Sequence, residues 1–81
     1  MNKEILINLN TIEKVKRFIH ITNEFNCDIE IRVGKWVVDG KSIMGLFSLN
    51  LLEPLSARID SNKKEEIESF YRVMEEFRWE E

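Results

Sequence analysis

Asp28-Ile29-Glu30-Ile31-Arg32-Val33-Gly34-Lys35-Trp36-Val37-Val38 is the stretch whose reading decides the fold. Ile29, Ile31 and Val33 alternate with Asp28, Glu30 and Arg32, the period of a strand with one apolar and one wet face. Gly34-Lys35 then separates this run from a second apolar one. Glycine takes positive φ at little cost, so a Gly-first pair suits a type II′ turn and the two runs close as an antiparallel hairpin. The hairpin makes Val33 and Trp36 cross-strand neighbours, a pairing worth up to ~1 kcal/mol.

Working outward, the N-terminal side contributes a strand and a helix. Ile5, Ile7 and Leu9 alternate over Ile5–Leu9. From there the period changes: Ile12, Val15, Phe18, Ile19, Thr22 and Phe25 recur at three- and four-residue spacing, one stripe of a helix. Thr11 or Asn10 is placed to cap its first turn, and Asn26 to close it. On the C-terminal side Asp39-Gly40 breaks the strand, and residues 41–50 read as a short helix starting near Ser42. Glu53-Pro54 ends it. Leu55, Ala57 and Ile59 alternate with Ser56, Arg58 and Asp60 as a fourth strand. A last helix starts at Ser61 or Asn62, with Glu65 set to return a hydrogen bond to an Asn62 cap. Its buried stripe is Ile67, Phe70, Tyr71, Met74 and Phe77. The tail from Arg78 onward is expected to fray, with Trp79 left to pack locally or at an interface.

The resulting order, β-α-β-β-α-β-α, predicts an α+β fold of two layers. An antiparallel sheet carries its helices on one face and meets water on the other. Residues 1–81 read as a single domain with one core, without repeats or linkers.

Composition narrows the function. With 43% hydrophobic residues the chain has enough apolar surface to fold, so disorder is excluded. A net charge of -3 argues against general nucleic-acid binding. No apolar run approaches a membrane span, and Met1 to Leu9 is too short and too interrupted for a secretory signal. Cys27 is the only cysteine. It allows no intrachain disulfide and no cysteine-based zinc site, and it fits a reducing cytoplasm. No nucleophile–base pair, metal cluster or phosphate loop appears, so the chain is not expected to be an enzyme or to need a cofactor or metal.

Lys41-Ser42-Ile43-Met44-Gly45-Leu46-Phe47-Ser48-Leu49, falling between the hairpin and the fourth strand, resembles the serine segment of HPr. HPr is the phosphocarrier of the bacterial sugar phosphotransferase system. The similarity runs from about Ile5 to Phe77, and only the serine segment is specific. The resemblance implies a four-stranded sheet of order 1-4-2-3 with three helices on one face, the open-faced sandwich of that family.

A second family signature, Gly-(Leu/Ile)-His-Ala-Arg-Pro-Ala, opens the family's first helix. The matching stretch here is Leu9-Asn10-Thr11-Ile12-Glu13-Lys14-Val15. By the resemblance, Thr11 stands where the family carries its phosphohistidine, Glu13 replaces the arginine that steadies the phosphate, and Lys14 replaces the proline. A threonine ester is too stable to pass its phosphoryl group onward, and Glu13 repels an incoming phosphate. Relay through this site is therefore not expected. His20 is the only histidine. It falls nearly opposite the apolar stripe, where solvation is its ordinary role and a docking contact its alternative.

Ser42 matches the serine that a dedicated ATP-dependent kinase phosphorylates in many Gram-positive members. A phosphate there changes a surface without disturbing the core, and the free N–H groups of a helix start favour an anion. Even unmodified, Ser42 serves as an N-cap worth ~1 kcal/mol. Leu46 and Leu49 suit the core side of the short helix, whereas Ile43, Met44 and Phe47 fall on another arc and make a candidate docking patch. A neighbouring subunit is the alternative cover for them. The reading is an HPr-like docking or regulatory module that cannot carry phosphohistidine. Its expected partners are phosphotransferase-system proteins, HPr kinase or a transcriptional regulator, and it is a monomer or weak homodimer. The competing reading is an HPr-fold interaction protein unrelated to sugar transport.

Overall fold

Alternation and helical spacing translate into elements in the predicted order. The computed structural model describes residues 4–80. It contains β1 (Ile5–Ile7), α1 (Ile12–Thr22), β2 (Asp28–Val33), β3 (Trp36–Asp39), α2 (Ile43–Phe47), β4 (Leu55–Asp60) and α3 (Lys64–Met74), which a 3₁₀ turn at Glu75–Phe77 extends. The sheet order is β1-β4-β2-β3, antiparallel throughout. Its register puts Ile5, Ala57, Ile31 and Val38 in one row across all four strands.

That row faces the helices. Ile7, Ile31, Leu55, Ala57 and Ile59 are fully buried from the sheet, and Val15, Phe18, Phe70 and Met74 from the helices. Phe18 meets the ring of Phe77 edge-to-face at 5.6 Å, and Phe70 does the same with Phe25 at 5.7 Å. Such pairs add ~1 kcal/mol to the area they bury. The opposite face stays wet. Glu30 accepts hydrogen bonds there from Arg32 at 3.0 Å and from Arg58 at 3.2 Å. No helix among the described residues is long and apolar enough to cross a membrane.

Two glycines have work that a side chain would obstruct. Gly34 has φ +57°, and no other described residue has positive φ. One positive φ, at the first turn position, is the signature of type II′; type I′ would need two. Val33 and Trp36 are paired as expected. Gly40 lies so close to β2 that a Cβ would come within 2.6 Å of Ile29 Cγ2. Its N–H donates to Ile29 O at 2.7 Å, and its carbonyl accepts the buried Thr22 hydroxyl at 2.9 Å. These bonds tie the chain just before α2 to β2 and to the end of α1.

The structure corrects several local expectations. Ile12 is 59% exposed instead of buried. As the first residue of α1 its Cβ tilts toward the N-terminus, so the side chain overhangs the helix end. Asn23, not Asn26, closes α1, with its backbone and side-chain N–H groups donating to Ile19 O at 3.1 and 2.8 Å. The helix expected over 41–50 is shorter, because Ser48 and Leu49 switch to three-residue bonds and the Ser48 hydroxyl occupies Gly45 O. At α3 the cap position is Lys63. Ser61, not Asn62, serves the entry, accepting from Lys63 N–H at 3.1 Å and donating to Glu66 at 2.7 Å. The tail does not fray at its start: Phe77 O accepts from Asn8 N–H, and Trp79 N–H donates to Leu6 O. Those bonds run along the outer edge of β1 and close it.

Candidate functional site

Ser42 is the N-cap of α2, still in extended backbone at φ −106° and ψ 113°, and the helix starts at Ile43. Its hydroxyl accepts the Gly45 N–H at 3.1 Å, the ordinary N-cap bond. Its own N–H donates to Asp39 O at 3.1 Å, and the Asp39 carboxylate accepts from Lys41 N–H at 2.9 Å. The Lys41 ammonium turns away from Ser42 and donates to Phe25 O. A Cβ at Gly45 would lie 3.4 Å from both Ser42 Oγ and Val38 Cβ, an ordinary contact distance, so α2 lies against β3 without requiring glycine there.

The remaining side chains of α2 divide cleanly. Leu46 is fully buried, while Ile43 is 38%, Met44 81% and Phe47 50% exposed. Phe47 lies four residues after Ile43 and three after Met44, so the three share one side of the helix. An apolar cluster thus adjoins the half-buried Ser42. Leu49 packs against the core as expected.

At the head of α1, Thr11 accepts the Lys14 N–H at 3.1 Å, and Glu13 is the acidic residue of the first turn. The Lys14 ammonium donates to Asn10 Oδ1 at 3.3 Å. His20 lies nine residues further on, ~13 Å along the axis. Its side chain is 76% exposed, with Nε2 3.8 Å from the Glu24 carboxylate. The structure gathers Ser42, Ile43, Met44 and Phe47 on one element and leaves Thr11 and His20 at opposite ends of another.

Other polar contacts were not foreseeable from spacing. Arg17 pairs in a two-pronged contact with Glu76, 59 residues away, and its hydrogen bond holds that carboxyl below the ordinary range. Glu66 is lowered chiefly by the Ser61 hydroxyl, and burial raises the Cys27 thiol. All of these hold helices and loops in place away from α2. Among the described residues, no cluster of His, Cys, Asp and Glu is placed to hold a metal ion.

No family model and no curated protein matches the sequence. Solved structures do. The crystal structure of HPr-C-His from Thermoanaerobacter tengcongensis superposes with a TM-score of 0.72 at 21% identity, covering 93% of this chain and 91% of that one. The phosphocarrier protein HPr from Bacillus anthracis gives 0.72 at 20% identity, with 96% of each chain covered.

The chain has the HPr fold. Sheet order, hairpin, helix count and near-complete coverage in both directions agree on it. In this chain α1 and α2 each start at a hydroxyl N-cap, Thr11 and Ser42, with exposed side chains beside it.

Proposed function

We propose that this HPr-fold protein is a docking or regulatory member of the phosphotransferase system that does not carry phosphohistidine. Phosphorylation of Ser42 would set its state. The observation that carries the reading is the α2 corner, where Ser42 caps the helix and Ile43, Met44 and Phe47 stand exposed beside it. A phosphate on Ser42 adds nearly two negative charges at the rim of an apolar patch, which changes what the patch attracts and leaves the core alone. Because α2 has five residues, its dipole contributes little. The effect is one of surface charge.

At the head of α1 the chemistry for relay is missing. By the sequence resemblance Thr11 stands for the carrier histidine; its oxygen takes the Lys14 N–H, and Glu13 comes two residues later. His20 is too far along the helix to replace it. The proposed partners are the system's own proteins, its serine kinase or a transcriptional regulator, reading the α2 patch with His20 as an outlying contact. The compartment proposed is the cytoplasm.

Two incubations followed by intact-mass measurement test this. With phosphoenolpyruvate and the first enzyme of the system the mass should not change. With ATP and an HPr kinase it should rise by one phosphate, located at Ser42. An acid-labile phosphoryl group in the first incubation overturns the carrier-dead reading and implicates His20. An unchanged mass in the second favours an HPr-fold interaction module unrelated to sugar transport.

A further inference from the structure

The sheet has two outer edges, and the chain treats them differently. The β1 edge is closed by the chain itself, through an isolated bridge between Ile7 and Arg78 and the bond from Trp79 N–H to Leu6 O. Along β3, no described strand pairs with the outer side. An open edge presents unpaired N–H and C=O groups, and soluble proteins usually blunt it with charge, proline or a bulge. Here the β2–β3 register runs without a bulge as far as Asp39, whose carbonyl accepts from Ser42 N–H, and Trp36 is 65% and Val37 48% exposed.

We propose that the β3 edge pairs antiparallel with the β3 edge of a second copy of this chain, centred on Val37. Backbone direction and side-chain order both specify that arrangement. In the hairpin, Val33–Trp36 closes the two-residue loop and Ile31–Val38 is the next pair of the same kind, so their N–H and C=O groups face β2. Alternation turns those of Val37 outward. With Val37 opposite itself, each copy donates one Val37 N–H to the other's Val37 O.

The same register is self-complementary in charge. Lys35 falls opposite the second copy's Asp39, twice, by the two-fold axis, and both side chains are exposed. Val37 meets Val37 on the open face of the sheet, and on the helix face Trp36 lies against the second copy's Val38. Sliding the pairing so that Val38 faces itself sets Lys35 opposite the second copy's Lys41, a like-charge contact that disfavours it. A four-residue edge is small, so the dimer is weak, with a dissociation constant of about 10 μM to 1 mM.

Sedimentation velocity on the full chain up to about 1 mM tests the idea. Wild type should shift from monomer to dimer over that range. Val37→Lys sets like charges on the axis and should weaken association about tenfold or more. Lys35→Glu and Asp39→Lys should each be monomeric alone, yet form a heterodimer when mixed, because each then supplies the charge the other lacks. Thermal melts of each variant establish that it is folded. A wild type that stays monomeric at the top concentration overturns the proposal. So does a dimer that Val37→Lys leaves intact, or a mixture of the two charge variants that does not associate.

Discussion

The heads of α1 and α2 are built alike. Thr11 and Ser42 both sit in extended backbone, and each accepts the N–H three residues ahead at 3.1 Å. The turns behind these caps differ. In α1 the cap leads into Glu13 and an eleven-residue helix, with Ile12 the exposed apolar residue of that turn. In α2 it leads into five residues with no acidic group in the first turn, and three exposed apolar side chains. The cap bond is therefore common property and carries no function by itself. In the proposed reading, charge and exposure behind the cap are what would make Ser42, and not Thr11, the phosphorylated hydroxyl, with α2 the docking surface.

The largest expected effect breaks that symmetry outright. Ser42→Ala should abolish labelling by ATP and an HPr kinase, whereas Thr11→Ala should leave labelling unchanged. Peptide mass mapping after the reaction distinguishes the two hydroxyls. Equal labelling of both would show that the first-turn charge does not discriminate.

Next in size is the contrast within α2. Leu46→Ala removes a fully buried side chain and should cost ~2–5 kcal/mol of folding stability. Phe47→Ala, at half exposure, should melt close to wild type and instead lose ~2 kcal/mol of partner affinity, roughly thirtyfold. Denaturation and binding measured on the same two proteins check this. A Phe47→Ala protein that binds weakly only because it unfolds would make Phe47 a core residue.

The two caps should be alike in stability, whatever function is proposed for each. Thr11→Ala and Ser42→Ala should each cost ~1 kcal/mol in urea denaturation. A much smaller loss at Ser42 would mean that burial of Leu46, and not the cap, holds the short helix.

The smallest effect concerns the open face. Glu30 is held below its ordinary carboxyl value, first by the hydrogen bond from Arg32 and then by the charges of Arg58 and Arg32. A lowered folded value contributes stability above the unfolded value of 4.5, and that contribution is lost as the pH falls through the folded value. Wild type should therefore lose more stability than Glu30→Gln on acidification below 4.5. The difference should stay under ~1 kcal/mol, as for other surface pairs. Paired melts at neutral and acid pH measure it.

Strand alternation made β2, β3 and β4 legible to within a residue, because one buried face forces a period of two. The exposure of Ile43, Met44 and Phe47 was legible for a similar reason: a short helix has room to bury only one side. Helix ends were not. Asn23 and Asn26 are both able to stop a helix, and Ser61 and Asn62 both to start one, and spacing alone does not choose between them. The closing of the β1 edge by Phe77–Trp79 was hidden too, since it joins segments some 70 residues apart in sequence with no pattern linking them. Sheet order came from resemblance, because periodicity says which face is buried and nothing about which strand lies beside which.

If the α2 corner, and not the head of α1, is the working surface of this protein, one titration should show it most directly. Isotope-labelled protein is titrated with an HPr kinase while its amide resonances are followed. Perturbations centred on Ser42, Ile43, Met44 and Phe47, with Thr11 to Lys14 unmoved, are the predicted result. Perturbations confined to Thr11–Lys14, with α2 silent, would contradict it.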